Sequence, residues 1–347
     1  AGGETSALGL PSFVGANGDA VTEIPAARWI VDPAVVDNET ILKRTRYGAF
    51  MKDLELFDNA HFSISPSEAA AMDPQQRMML ESSYEALHAS SISRAELLGS
   101  VTGMFVGIAA NDWTDVIKAS PMARSVYAAT GSSHSIAAGR LPFVLGLQGP
   151  CCSYDTACSS TLAANHAAMR AIQLSECVNA VCVGVMQVLM PGVGITFATA
   201  GMTSPHGRCH TFDARADGYV RGEALTSTLL EPAKEGRRVS YSLLGSCVRQ
   251  DGKSASLTAP NGVAQTSLLK AALKDAGVPS REVAAIEAHG TGTALGDPIE
   301  MRSMKGAVLK DRGPSDPAVM VGSIKANCGH AEAAAGASGL LLLSNYY

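Results

Sequence analysis

The sequence predicts an α/β fold, and three observations carry that reading. Short apolar, β-branched runs recur at "VTGMFVGIA" (101–109), "NAVCVGVMQVL" (179–189), "VAAIEAHG" (283–290) and "AVMVGSIKANCGH" (318–330). Segments of helical spacing stand between or after them, at 159–174, 263–276 and 297–309. The strand runs are apolar throughout instead of alternating, so helices are expected to cover both their faces. Composition agrees: 46% of the 347 residues are hydrophobic and 34 are glycine, which suits a well-buried core built with small residues.

The elements follow in chain order. Residues 1–20 are Gly- and Ala-rich and read as a loop or frayed entry. "DPQQRMMLESSYEALHAS" (73–90) has apolar residues at helical spacing and opens with Asp-Pro, a helix start. The run 101–109 is a buried strand. "HSIAAGRLPFVLGL" (134–147) is helical with a break expected near Pro142. "GPCCSYDTA" (149–157) is a strand-like approach, with Cys151 and Cys152 read as strand core. Ser159 and Ser160 then open a helix through "TLAANHAAMRAI". The runs 179–189, 283–290 and 318–330 supply the remaining strands. No short tandem repeat is present.

Bulk properties exclude several classes of function. Net charge is −5 and no basic stripe carries interleaved aromatics, so nucleic acid is not an expected partner. The longest apolar stretch, "AAAGASGLLLLS" (333–344), is too short and too rich in Gly and Ala to span a bilayer. No secretory signal is visible. The chain has eight cysteines and ample material for a core. They read as reduced thiols of an intracellular protein, in the cytoplasm first, with organelle targeting left open. No C-x-x-C pair occurs, so a thioredoxin-like motif or a four-cysteine zinc site has no support, and no metal is expected.

Three residues stand where chemistry is expected. Cys158, in "SYDTACSST" (153–161), falls at a strand-to-helix turn. There the helix dipole and free N–H groups stabilise a thiolate, and the local N–H can face a developing oxyanion. An inert buried thiol is the competing reading, since free cysteine is among the most buried residue types. His289 closes the strand "VAAIEA" and enters "GTGTALGDP"; His330 closes "VGSIKANCG" and enters "AEAAAGASG". Active sites of α/β folds gather at such carboxyl ends. A helix-start thiol with two histidines at matching places points to nucleophilic catalysis with imidazole partners.

"DTACSS", "HGTGTALGDPIE" and "KANCGHAEAAAG" resemble the three signature stretches of β-ketoacyl synthase (ketosynthase) domains of type I polyketide synthases, in the thiolase-like superfamily. "DAVTEIPAARW", "LFDNAHFSISPSEAAAMDPQQR", "AAGRLPFVLGLQGP" and "FDARADGYVRGEA" agree, and the resemblance covers roughly residues 18–340. It implies two related α/β halves in a five-layered α-β-α-β-α arrangement, an N-terminal half at 1–240 with the nucleophile and a C-terminal half at 241–347 with both histidines. Cys158 is then similar to the acyl-accepting nucleophile, and His289 and His330 to the pair that supports malonyl decarboxylation. Lys325 resembles the lysine that holds the histidine network. Asp297, Glu300 and Glu332 match acidic positions near the site, and Thr291 and Thr293 match threonines that bind the pantetheine arm. Each also has a plain reading: Asp297 before Pro298 as a helix cap with Glu300 as its partner, Lys325 as a surface lysine, the threonines as turn residues.

The activity implied is decarboxylative Claisen condensation of a cysteine-bound acyl group with a malonyl thioester on an acyl carrier protein. The implied cofactor is the carrier's phosphopantetheine, with none bound to the chain itself, and the implied assembly is a homodimer with strands pairing near the nucleophile segment. A fatty acid synthase-type ketosynthase, a thiolase acting on coenzyme A esters, and a non-catalytic partner protein are the alternatives. Two motifs are set aside: "HGRCH" (206–210) lacks a second ligand group at zinc spacing, and "HGTGTALG" has its last glycine one residue too far for a dinucleotide loop. Cys328 invites comparison with the second cysteine of a thiolase, but "NCGH" puts His330 in the condensing-enzyme place. "RGEA" replaces the commoner "RGEG". No Gly-Phe-Gly-Gly stretch follows "GHAEAAAG", so the C-terminal part of the family pattern, and the first strand, are expected to be missing.

Overall fold

The structure, a computed structural model, describes residues 9–30, 36, 38–234 and 239–344. Most of the Gly- and Ala-rich entry, residues 1–8, lies outside them; Leu10–Gly15 of that segment is a short helix where loop was expected. A two-stranded antiparallel ribbon pairs β1 (Val21–Glu23) with β2 (Tyr47–Ala49). The central sheet has the order β4-β3-β5-β6, built from β3 (Thr102–Gly107), β4 (Cys151–Tyr154), β5 (Asn179–Met186) and β6 (Ala224–Leu230). β3 runs parallel to both neighbours and β6 antiparallel to β5. A second, parallel pair joins β7 (Ala285–Glu287) to β8 (Met320–Gly322).

Burial follows from the strand period of two. On one face of the sheet, Met104, Val106, Val181, Val183 and Val185 pack with Leu80 and Leu87 of helix Pro74–Ala89 and with Leu141 and Leu145 of helix His134–Leu145. On the other, Phe105, Ala180 and Cys182 meet Ala164, Ala168 and Ala171 of helix Ser160–Gln173. Both faces are therefore covered, as continuous apolar runs require. Helix Ala335–Ser344 packs on Ser160–Gln173 and also on β6 and β7, so these two helices form the layer between the two sheets. In the second half, helices Gly262–Ala276 and Gly296–Met304 pack on each other.

Local signals explain the boundaries. Asp73 caps helix Pro74–Ala89 by accepting the Gln75 N–H at 2.8 Å. The helix at 134 does not break at Pro142 but runs on to Leu145. Leu141 and Leu145 hold the last turn in the core, and Gly146, at φ 69°, stops it. β7 and β8 are only three residues each. Beyond β8, the Glu287 carboxylate accepts the Ile324 N–H at 2.8 Å, and the chain winds into a helical turn, Lys325–Cys328, where strand was expected. Cys151 and Cys152 are exposed and not strand core, because β4 is an edge strand paired only with β3.

One close approach fixes where the Cys158 turn sits. A Cβ on Gly107, at the end of β3, would lie 2.5 Å from the Thr161 backbone nitrogen and 2.6 Å from its Cα. The neighbour is backbone, so nothing can rotate away. Gly107→Ala is expected to destabilise the chain by about 1–3 kcal/mol, the usual range for overpacking. A thermal melt of the variant checks this, and an unchanged midpoint would contradict it.

Candidate active site

Two strand exits and the turn after the short helix Lys325–Cys328 bring the site together, so His330 does not close a strand as the sequence reading expected. β4 ends at Tyr154 and the chain turns through Asp155–Ser159 into helix Ser160–Gln173. The turn is tight. Ala157 lies at φ 53°, in the left-handed region that costs an L-residue roughly 1–2 kcal/mol. Hydrogen bonds hold it there: the Thr156 N–H donates to Ser160 Oγ at 2.9 Å, the Ser160 hydroxyl to the Ala157 carbonyl at 2.6 Å, and the Ala157 N–H to Asp155 Oδ1 at 3.1 Å. Cys158 is half-buried at this turn, and its Sγ lies 3.9 Å from His289 Nε2.

His289 follows β7. Glu300, on helix Gly296–Met304, clamps its backbone by accepting the His289 N–H at 2.6 Å and the Gly290 N–H at 2.8 Å. Asp297 grips the next turn of the loop: Oδ1 accepts the Gly292 N–H at 3.1 Å and Oδ2 the Phe212 N–H at 2.8 Å. Gly292 has φ 78°, and a Cβ there would meet the His210 nitrogen at 2.5 Å, so only glycine fits. Thr291 is buried, and its Oγ1 lies 3.3 Å from that of Thr293, which accepts the Gly296 N–H. Asp297 and Glu300 thus act on the loop backbone rather than as a cap and its partner.

His330 is buried, 4% exposed. Its ring is 5.4 Å from that of His289 and edge-on at 86°, and Tyr219 packs edge-on at 5.1 Å. The Glu332 N–H donates to His330 Nδ1 at 3.2 Å, which leaves the proton of the neutral ring on Nε2. Glu332 Oε1 accepts from Arg221 Nε at 2.6 Å. Lys325 is equally buried, and among the described residues it makes no ion pair. The ligand atoms of Cys158, His289 and His330 all lie within 4.8 Å of one another.

Comparison with known proteins gives the family. The N-terminal domain model of the β-ketoacyl synthases matches residues 7–236 and the C-terminal domain model residues 241–344. The chain belongs to the β-ketoacyl synthase family. Its similar proteins include the spectinabilin polyketide synthase system protein NorC of Streptomyces orinoci, 42% identical over 339 residues, which are 96% of this chain and 15% of that protein. A phenolphthiocerol/phthiocerol polyketide synthase protein of Mycobacterium tuberculosis is 42% identical over 331 residues, 92% of this chain and 15% of that protein. The ketosynthase from module 6 of the bacillaene synthase of Bacillus subtilis 168 superposes with a TM-score of 0.86 at 32% identity, over 96% of this chain and 57% of that one. An oxazolomycin ketosynthase domain from Streptomyces albus JA3453 gives 0.86 at 33%, over 95% and 59%. The fold is thus the thiolase-like α/β fold of ketosynthases. The expectation that the C-terminal part of the family pattern is missing is corrected, since the C-terminal domain model matches down to residue 344.

Electrostatics in this β-ketoacyl synthase depart from the sequence reading at one point. Burial pushes the Cys158 thiol up, outweighing Lys325 and its own backbone N–H, which favour the thiolate. Cys158 therefore rests as a thiol, where a thiolate stabilised by the helix start was expected. Both imidazoles are held neutral. His289 keeps one side open to solvent, yet the protein around it and the Lys325 charge push it down to about 4. Burial, then His289, Lys325 and Arg221, hold His330 well below its ordinary range. Burial also lowers Lys325, while Glu287 is pushed up to about 7, by burial first. A neutral thiol beside a neutral imidazole can pass a proton as it attacks, and a neutral Nε2–H can donate to a developing oxyanion.

Two residues facing this site were not singled out in the sequence. Glu287 is the one acid inside the apolar run "VAAIEA", a signal in itself, and Arg221 lies in "FDARADGYVRGEA". The thiol and two imidazoles are also donor types that zinc takes. In "HGRCH" the three side chains diverge. His206 Nδ1 pairs with Asp217 at 2.7 Å, Cys209 Sγ accepts the Val220 N–H at 3.4 Å, and His210 Nδ1 is buried without a partner.

Two outcomes follow for the family site. Glu300→Ala strips the acceptor from two loop N–H groups and is expected to cost about 1–3 kcal/mol per group left buried and unpaired. Cys158 alkylation should slow as His289 shifts, while Glu300→Gln, keeping one carbonyl oxygen, falls between. Melting and iodoacetamide kinetics read both, and equal effects of the two variants would contradict the clamp. Because Cys158 is raised, its thiolate fraction grows about tenfold per pH unit up to and beyond the usual thiol range near 8.5. Alkylation of Cys158 should climb with pH without a plateau below that range, and a plateau near neutrality would contradict the raised thiol.

Proposed function

We propose that this chain is a polyketide synthase ketosynthase, an acyltransferase that condenses an acyl group on Cys158 with malonyl on an acyl carrier protein. The observation that carries this reading is the meeting of Cys158, His289 and His330 within 4.8 Å of one another. Relatives named as polyketide synthases support the substrate class.

The chemistry runs in two halves. Cys158 Sγ gives its proton to His289 Nε2 as it attacks the acyl thioester, and the carrier thiol leaves with that proton. The malonyl C–carboxylate bond then breaks, carbon dioxide departs, and the electron pair moves onto the thioester oxygen as an enolate. Nε2–H of His330, with His289 beside it, donates to that oxygen. The enolate carbon attacks the acyl carbonyl on Cys158, the C–S bond breaks, and the thiolate takes up one proton from water, the proton that the overall condensation consumes. Burial keeps both imidazoles neutral, and the Lys325 charge adds to that pressure. Thr291 and Thr293 hold the pantetheine arm, and Asp297, Glu300 and Glu332 support the loops that carry the histidines. The phosphopantetheine belongs to the carrier.

A homodimer fits the exposed edge of β4, whose unpaired backbone groups invite a second strand, with Phe143 87% exposed nearby in sequence. No helix of the described residues is long and apolar enough to cross a membrane, and we place the protein in the cytoplasm. A fatty acid synthase-type ketosynthase would use the same atoms. A thiolase would need Cys328 as base, and that thiol is pushed up to about 11 by burial and stands outside the cluster. The assembled cluster also argues against a non-catalytic partner protein.

Incubation with an acyl-carrier thioester should place acyl mass on the Cys158 peptide, and malonyl carrier should then give a β-ketoacyl product. His330→Ala should keep the acylation and lose about 100–1000-fold in condensation, the scale of one oxyanion donor. Acyl mass on another residue, or condensation untouched in His330→Ala, would overturn the assignment.

A further inference from the structure

We infer that Arg221 is a positioning residue for His330, acting through Glu332; this rests on the ketosynthase reading above. The proton on His330 Nε2 depends on a donor at Nδ1, and that donor is the Glu332 backbone N–H at 3.2 Å. Glu332 must hold φ 39° to aim it, a backbone conformation that side chains other than glycine's disfavour. Its side chain supplies the anchor. Oε1 accepts from Arg221 Nε at 2.6 Å, with the two side chains only 8% and 16% exposed.

Arg221 is itself firmly placed. The His330 N–H donates to the Val220 carbonyl at 2.7 Å, and the Gly222 N–H to the His330 carbonyl at 2.9 Å. The Ala49 N–H donates to the Arg221 carbonyl at 3.0 Å, and the guanidinium lies 5.5 Å from the centre of the Phe197 ring. One segment, 220–222, thus holds the His330 backbone directly and, through the Arg221 side chain, the residue that fixes its ring. Without the guanidinium, a nearly sealed carboxylate loses its partner and turns toward water. The Glu332 N–H then swings off Nδ1, the proton is free to move there, and a bare Nε2 lone pair faces the enolate oxygen it should stabilise.

The pair could instead serve stability alone, and the test separates these roles. Arg221→Ala should lower malonyl decarboxylation about 10–100-fold, the scale on which outer partners that orient an imidazole act. Acylation of Cys158 should change little. Histidine-labelled ¹⁵N spectra should show His330 gaining protonated Nδ1. The double variant Arg221→Ala with Glu332→Gly removes both charges and lets glycine take the positive φ unaided. It should recover most of the decarboxylation and the wild-type tautomer, whereas Arg221→Ala with Glu332→Ala should not. If Arg221→Ala does not fold, Arg221→Lys, which keeps the charge but not the Nε donor, is read in the same way. A folded variant with tautomer and decarboxylation unchanged overturns the proposal, as does parallel loss of acylation and decarboxylation that glycine fails to restore. Absence of decarboxylation in the unaltered chain would instead overturn the ketosynthase reading, and the tautomer comparison still decides the role of Arg221.

Discussion

The seat of Thr161 is the constraint on which the site depends. Its backbone lies against Gly107 of β3, and a Cβ on Gly184 of β5 would collide with its hydroxyl at 2.4 Å. That hydroxyl donates to the Ala333 carbonyl. One residue thus ties the start of the helix after Cys158 to the sheet beneath it and to the segment just after His330. Backbone contact on glycine leaves no rotamer to adjust, so the helix has one height above the sheet. Cys158, three residues earlier, inherits that height, and the link to Ala333 brings His330 to it. The 3.9 Å between Cys158 Sγ and His289 Nε2 is set by packing far more than by attraction between them.

The electrostatics follow from the same burial. Burial disfavours charge, so the thiol, both imidazoles and Lys325 are all pushed toward neutrality. Lys325 is opposed by Glu287 and Glu300, which favour its charge without touching it. While it stays charged it adds to the pressure on both histidines. The proposed reaction needs this, since an imidazolium would transfer its proton to the enolate and quench the carbon nucleophile before it attacked.

How much of this is legible in the sequence follows from the kind of signal each residue gives. Cys158 and His289 follow strand ends, which can be read from apolar runs that end in Gly-rich turns, whereas the helical turn before His330 hides inside such a run. Cys158 and His289 converge from 131 residues apart, which is tertiary; their matching places at the ends of apolar runs point to it, and the resemblance implies it. The direction of the thiol shift escapes the sequence because a helix start is local and visible there, whereas desolvation depends on everything packed around it. Cys151 and Cys152 escape it for a related reason: an edge strand and a central one have the same sequence pattern, and only the order of the sheet separates them. Pro142 breaks no helix because Leu141 and Leu145 on either side of it are core residues, and their burial outweighs the local defect. Glu287 and Arg221 act through partners distant in sequence, at Ile324 and Glu332. Spacing does not encode such pairs.

The two histidines are not equivalent, and their surroundings suggest a division of labour under the proposed chemistry. His289 sits in a loop held only by its backbone, next to the sulfur, with one side open to solvent. It can accept a proton, release it and change partners between half-reactions. His330 is sealed beneath Tyr219 and gripped at Nδ1, so its Nε2–H is committed to donation throughout. A group that shuttles protons needs exchange with its surroundings, while a group that stabilises an oxyanion works best when it cannot reorganise. The structure places the open imidazole on the side of the thiol and the fixed one behind it. The same pair can then serve acylation and decarboxylation without altering the resting protonation of the site between the two steps.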